Sequence, residues 1–521
     1  MTERTITWQG HPHAPAPLDA IHQARRDGPV TIVDDAGRTV SLGTFGWCKE
    51  LVRIAWQRLL GLKLAALTAV FTSRTAPKVA PASAKATGPV VVVLPVLPDM
   101  SHTFVYRELL AILKQRPAWR VIVLQPNEQA PRHREAEELL QLATFLPRDG
   151  VTRSYLRTKL WLLRRRGQQL VSMYRAQPDA ESQEFFGKHV LRNPRHPGNA
   201  LQLADLLRPM QPRHIHVYAS TWSANVVMGA AHLLDVPFSI SSYVDFEFAY
   251  SHKLLPEKLA RATFFRVVTK FCQQRLCELH PEIPETRVPV IYLGIDLDNW
   301  QERCKSPGRG VIVSAARIVE KKGLHLMPEA LAQLQRDGTE FSWRVIGDGP
   351  ELERIRQLCE QHGIAQHVVF LGAQDNAAVR DALMHADAAV LPCIVAEDGE
   401  RDGIPIFFVE AMALGVPVVT TPISGIPELV RDGDTGFLHP TADVQALAAK
   451  LTLVLRDPEL AQTVGARGRD EVHRTLDVHA SATQLIAQIE AGQIEAGQIE
   501  AGQIATGQNP TGQPPPGPLA P

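Results

Sequence analysis

No two of the six cysteines (Cys48, Cys272, Cys277, Cys304, Cys359, Cys393) stand in a C-x-x-C spacing. That removes a zinc ribbon and a disulfide framework, and it predicts reduced thiols in a cytoplasmic setting. Neither sign of charge is in excess, 55 Lys and Arg standing against 55 Asp and Glu, so no global field recruits nucleic acid. Long apolar runs are missing as well. The nearest, 60–71, is interrupted by Lys63 and falls short of the roughly 18 residues a membrane span needs. The N-terminus has no charged start followed by an apolar signal core. No His/Asp cluster with metal-ligand spacing occurs either, so no metal is predicted.

The remaining composition is that of a globular protein, 45% hydrophobic and 21% charged over 521 residues, long enough for two or three domains. Residues 1–88 read as an extension. They hold a hairpin expected between Val30 and Leu42, turning on Asp34-Asp35-Ala36-Gly37. A basic amphipathic helix over 45–71 follows, with Trp47, Leu51 and Ile54 set against Lys49, Arg53 and Arg58, and then a linker over 72–88. Such a helix suits either the protein's own surface or an anionic membrane.

From Val90 the pattern changes to apolar runs without alternation, each leading towards a helix-like segment, which predicts parallel strands buried on both faces. They lie at 90–94, 119–124, 214–218, 237–241, 265–269 and 288–293, and a second series lies at 311–315, 343–346, 368–371 and 388–391. The fold class expected is α/β, with doubly wound Rossmann-like domains over 89–295 and 296–460 and a helix near 460–485 packing back on the first. Segment 151–175, with Arg153, Arg157, Arg164, Arg165 and Arg166 among leucines, reads as a helical insertion with a basic surface. Beyond 486 a five-residue repeat, Ala-Gly-Gln-Ile-Glu, matches no solenoid period, so 486–521 is expected to be a disordered tail.

Ligands of open α/β sheets sit at the carboxyl ends of the strands. The run 311–315 leads into Arg317, Glu320, Lys321, Lys322 and Gly323 just before a helix. Cations at a helix N-terminus suit a dianion such as a diphosphate, although a solvated charge cluster would look the same. Gly347-Asp348-Gly349-Pro350 is a tight turn whose glycines admit close backbone approach. After 388–391 an acidic loop runs through Asp402-Gly403-Ile404-Pro405 into an apolar helix broken by Glu410. Pro405 suits its first turn. Glu410 is either a buried, partnered acid or a ligand-binder, and the second reading is favoured. Eight positions separate it from Asp402, so both acids can face one cleft, while Glu397, Asp398 and Glu400 read as solvated. The loop from Thr421 to Glu428 would help close the pocket. In the first half, Ser101, His102 and Thr103 follow the first strand; His102 could assist a hydroxyl, and Ser101 or Thr103 could equally cap a helix.

Arg317-Ile-Val-Glu-Lys-Lys-Gly323 together with Asp402 to Glu428 resembles the donor-binding domain of retaining GT-B glycosyltransferases, family 4. More narrowly it is similar to the bacterial exopolysaccharide and colanic-acid-type members, over roughly 90–480. The resemblance implies two Rossmann-like domains facing a cleft. It implies that Arg317 and Lys322 contact a donor diphosphate, and that Asp402 and Glu410 hold the sugar and the ribose. Gly347 and Gly349 would then lie beside the donor, with Gly403, Ile404, Pro405, Ile406 and Phe407 presenting backbone near its phosphates and sugar. The first acid is usually Glu and is Asp402 here. Tyr243, two residues before Asp245, stands where such enzymes commonly carry a His near the reacting sugar.

The function so implied is a metal-independent, retaining hexosyltransferase without a cofactor, using a nucleotide-diphosphate sugar as co-substrate. Its acceptor would be a saccharide or lipid-linked saccharide of cell-surface polysaccharide biosynthesis. Its place would be the cytoplasm, with peripheral contact to the inner face of the cell membrane. The alternative is a catalytically impaired glycosyltransferase-like binding or assembly protein, with Tyr243 and Asp402 as the marks of lost turnover.

Overall fold

The structure is a computed structural model and describes residues 4–7, 30–33, 39–42, 88–99, 102–128, 134–147, 195–244, 246–249, 254–300 and 310–491. The chain divides into two compact units, Met1–Pro81 and Ala82–Pro521. In the first, β1 (Arg4–Thr7) runs parallel to β2 (Val30–Val33), which pairs antiparallel with β3 (Thr39–Leu42), placing Val30 opposite Leu42. This is the hairpin expected from the sequence. The expected helix at 45–71, the linker up to 87, the insertion at 151–175 and the tail from 492 lie outside the described residues, as do Ser101 and Asp245.

The larger unit contains two parallel six-stranded sheets. The first is built from β4 (Val90–Leu97), β5 (Arg120–Pro126), β6 (Ala143–Phe145), β7 (His214–Tyr218), β8 (Phe238–Ser242) and β9 (Phe265–Val267), in the order β6-β5-β4-β7-β8-β9. The second is built from β10 (Val311–Ala315), β11 (Ser342–Ile346), β12 (Val368–Gly372), β13 (Ala388–Val390), β14 (Val418–Thr420) and β15 (Phe437–Leu438), in the order β12-β11-β10-β13-β14-β15. Both follow one doubly wound plan, in which the chain leaves its first strand in one direction and later returns to the other side of it.

The unalternating run at β4 has a direct cause. Val91 and Val93 enter a core with Ile215, Ala224 and Val227, while Val90, Val92 and Leu94 enter another with Leu109 and Ile112. Successive side chains point to opposite faces of a strand, and here both faces are covered. Segment 288–293, expected as a strand, supplies only a bridge from Val290 to Val267. Pro289 beside it has no N–H to continue a ladder.

The two halves are joined by a crossing of two chain segments. Ile295 N–H donates to Leu476 O at 2.9 Å and Val478 N–H donates to Ile295 O at 3.0 Å. A Cβ on Gly294 would lie 2.4 Å from the carbonyl carbon of Asp477, so this approach requires glycine. The crossing divides the segment near 460–485, where a helix was expected to pack back on the first half. Helix Pro458–Thr475 stays with the second half, burying Ala461, Val464 and Val472 in its core. The helical segment 478–491 packs Val478, Ala482, Leu485, Ile486 and Ile489 into the first half, where Arg116 pairs with Glu490 at 2.9 Å.

Behind the first sheet's carboxyl edge lies a fully buried ion pair. The Arg266 guanidinium donates to both oxygens of Glu108 at 2.7 Å and also to the carbonyl of Ile291, while the Tyr218 hydroxyl donates to Glu108 at 2.7 Å. Every charged group in this cluster is partnered, as burial requires.

Candidate functional site

At the switch point of the second sheet, the loop leaving β10 meets the loop leaving β13. Lys322 Nζ lies 2.7 Å from Asp402 Oδ2; Lys321 Nζ lies 2.6 Å from Glu400 Oε1 and 3.6 Å from Asp402 Oδ1. Glu400 was expected to be solvated and is instead the main partner of Lys321. Desolvation pulls the Lys322 ammonium down, but the Asp402 carboxylate against it wins and leaves its pKa above the usual lysine range. Burial likewise pushes the Asp402 carboxyl up, and Lys322 and Lys321 together hold it below the usual range. Arg317 is exposed beside this cluster, and its charge bears on Lys322. Gly323 adopts φ +66°, and a Cβ there would fall 2.0 Å from Pro392 O, so the two loops touch through backbone.

Gly347 and Gly349 owe their type to packing. Cβ atoms there would fall 1.8 Å from Ala316 O and 2.3 Å from Ile318 O. Their close backbone approach is thus to the neighbouring loop that carries Arg317. Pro405 is the N-cap of helix Ile406–Ala413 and stands just before its first turn. Within that helix Phe407 and Phe408 are buried, and Glu410 is only 6% exposed.

Glu410 is both buried and partnered, and its partner comes from the first half. Arg107 Nη1 donates to Glu410 Oε1 at 3.0 Å, while Arg107 Nε donates to Glu135 at 3.2 Å. Burial raises the Glu410 carboxyl; Arg107 opposes this without cancelling it. Sequence reading did not single out Arg107. The available signal was a charged pair, Arg107-Glu108, inside the apolar helix Thr103–Gln115: each member reaches a distant buried partner.

In the first half, Tyr243 is 7% exposed and its hydroxyl has no hydrogen-bond partner among the described residues. Its ring stacks on Tyr218 at 6.2 Å and meets Phe104 edge-on at 5.1 Å. It lines a cavity of ≈ 10 Å³ with His102, Tyr106 and Tyr218, space for about one water-sized group. His102 is the N-cap of helix Thr103–Gln115, but its side chain does not cap; it pairs with Asp99 at 3.0 Å, and Thr103 is the first helical residue. Glu247 accepts from the backbone N–H of Ser220 and Tyr243, which fixes the loop that carries Tyr243.

The halves also touch at Gly403, Gly425 and Glu428. Gly403 faces the Tyr243 carbonyl, and Gly425 leaves room for Thr269, whose Cγ2 would lie 2.5 Å from an added Cβ. Glu428 accepts from Lys270 N–H, Phe271 N–H and the Tyr292 hydroxyl at 2.7–2.8 Å, so it caps helix Lys270–Leu279 of the opposite half. Glu428→Ala is expected to lower the unfolding free energy by about 1–3 kcal/mol, with Glu428→Gln costing less; thermal melting of both variants checks this.

A family described as glycosyl transferases group 1 matches residues 298–471, the stretch that carries Arg317, Lys322, Asp402, Glu410 and Glu428. Those residues form a group 1 glycosyl transferase domain. Relatives of the chain include the putative colanic acid biosynthesis glycosyltransferase WcaL of Salmonella typhimurium. It is 39% identical over 210 residues, which are 40% of this chain and 52% of that protein. The amylovoran biosynthesis glycosyltransferase AmsK of Erwinia amylovora is 30% identical over 239 residues, 45% of this chain and 58% of its own. The chain thus spans about half the length of the curated relatives it matches.

Among solved structures, Anabaena HepE in complex with UDP and glucose aligns with TM-score 0.56 and 17% identity, covering 77% of this chain and 99% of that one. Sucrose-phosphate synthase from Thermosynechococcus elongatus aligns with TM-score 0.56 and 16% identity, covering 80% and 100%. The two sheets around the glycosyl transferase domain and its partner half are the GT-B fold. Among the described residues no helix is long and apolar enough to cross a membrane.

Proposed function

We propose that the chain is a retaining glycosyltransferase of exopolysaccharide biosynthesis, moving a hexose from a nucleotide-diphosphate sugar to a saccharide or lipid-linked saccharide. The observation that carries this reading is the meeting of Lys322 and Asp402, with Arg317 beside them, where the loops leaving β10 and β13 join; Glu410, in the helix that follows, is held by Arg107 of the first half. Tyr243 and Gly403 bring that half against the same loops. The printed names of WcaL and AmsK support the pathway, and HepE's complex with UDP and glucose supports the donor class.

The chemistry follows from charge. As the bond from the anomeric carbon to the diphosphate breaks, its electron pair goes to the leaving oxygen, where Lys322 and Arg317 stabilise it. The acceptor oxygen bonds to the anomeric carbon from the same face, and its proton passes to the departing phosphate. In this reading the cations take the place of a metal, and no further cofactor takes part. Asp402 and Glu410 accept hydrogen bonds from sugar and ribose hydroxyls, and the backbone from Gly403 to Phe407 lies along the donor. The basic sequences at 45–71 and 151–175 support peripheral contact with an anionic membrane on its cytoplasmic face.

The test is release of nucleoside diphosphate from a panel of sugar nucleotides supplied with lipid-linked saccharide extract. Acceptor-dependent release is the expected result. Binding of a nucleotide sugar without any release would contradict turnover and leave a binding protein.

A further inference from the structure

The contact between Arg107 and Glu410 joins a side chain of the first half to the acid that the proposed function assigns to donor hydroxyls. Arg107 is held from its own side, because Glu135 takes its Nε and only Nη1 reaches across. At the far end only Glu410 Oε1 is engaged; Oε2 makes no hydrogen bond among the described residues. The side chains of Arg107 and Glu410 are 9% and 8% exposed, so water does not substitute freely for either partner.

We infer that Arg107 is a positioning residue of the donor site: it fixes one oxygen of Glu410, presents the other to a donor hydroxyl, and makes donor binding depend on closure of the two halves. The inference rests on the donor reading above. The geometry implies it because Glu410 lies in an apolar helix that offers it no partner of its own. With the halves together but Arg107 removed, a nine-tenths buried acid would stand without its cation, and burial would drive it toward the protonated form. A neutral carboxyl is a weaker acceptor for hydroxyls than a carboxylate. Arg107, brought up when the halves meet, therefore supplies both the charge state and the orientation that the ligand reads.

The experiment titrates UDP, GDP, ADP and dTDP by calorimetry into the full-length chain as wild type, Arg107→Ala, Arg107→Lys, Glu410→Gln and the double variant Arg107→Ala/Glu410→Gln. Each of Arg107→Ala and Glu410→Gln is expected to weaken the nucleotide that binds by about tenfold, with Arg107→Lys recovering part of that loss. The double variant is expected to bind no more weakly than Glu410→Gln, because both changes remove one function. It also removes the stranded buried charge, so it keeps the test valid if Arg107→Ala folds poorly. Losses that multiply in the double variant, or wild-type binding by Arg107→Ala beside a weakened Glu410→Gln, would overturn the inference and leave the donor reading standing. Unchanged binding by Glu410→Gln, or no binding of any nucleotide by wild type, would overturn both.

Discussion

Lys322→Ala is expected to lower kcat for sugar transfer by on the order of 10²–10³-fold, the size of effect seen when one preorganised stabiliser of a leaving charge is removed. The expectation follows from placement: Lys322 is the cation bound directly to Asp402, next to a backbone contact between the β10 and β13 loops. Lys321 cannot readily take over, because Glu400 holds it at 2.6 Å. A steady-state assay of nucleoside diphosphate release measures the loss, and a decrease below fivefold would place the leaving group elsewhere.

The same pair has a defined pH dependence. Asp402 is held below its usual pKa, so its contribution to stability is present above the usual carboxylate range and is lost as pH falls through the depressed value. Lys322 is held above its usual pKa, so its contribution is present below the usual lysine range and is lost as pH rises through the raised value. The stability difference between wild type and Asp402→Asn should therefore be level across neutral pH and shrink only in strong acid or strong base.

Arg266→Ala is expected to have the largest effect on stability, about 3–5 kcal/mol, because it strands the fully buried Glu108 carboxylate. It also removes donors to the carbonyls of Ile291 and Tyr292, next to the crossing between halves. Replacing both partners at once, as Arg266→Met with Glu108→Leu, should recover most of the loss, since two apolar side chains leave no unpaired charge. Urea denaturation of the single and paired variants distinguishes the outcomes. A single-variant loss under 1 kcal/mol would show that the cluster is not the support described.

The fold was legible where burial wrote itself into local sequence. The runs at Val90–Leu94 and Val311–Ala315 could not alternate, because both faces of each strand are covered. Glu410 stood out for a related reason, since an acid inside the apolar helix Ile406–Ala413 has no local cause, whereas Asp402 stood out only through its place in the loop before that helix. What escaped was either short or distant. β6 is three residues long and follows a helix directly. Helix Arg195–Leu207 opens on Pro197 and Gly198, which read as breakers. Lys270–Leu279 carries Gln273, Gln274 and Arg275 where apolar periodicity would announce a helix. The pairs Arg107–Glu410 and Glu108–Arg266 are separated by 303 and 158 positions. Charge pairing at such range leaves no periodic trace, so sequence could mark these side chains as out of place without naming their partners.

The carboxyl edge of the second sheet, closed by the first half, is the proposed site of a nucleotide-sugar donor. A crystal structure with a bound nucleoside diphosphate tests it most directly. Diphosphate oxygens are expected within hydrogen-bonding distance of Lys322 and Arg317, with ribose hydroxyls on Glu410 Oε2 and Arg107 still on Oε1. A nucleotide bound away from these residues, or one that displaces the backbone contact between Gly323 and Pro392, would contradict it.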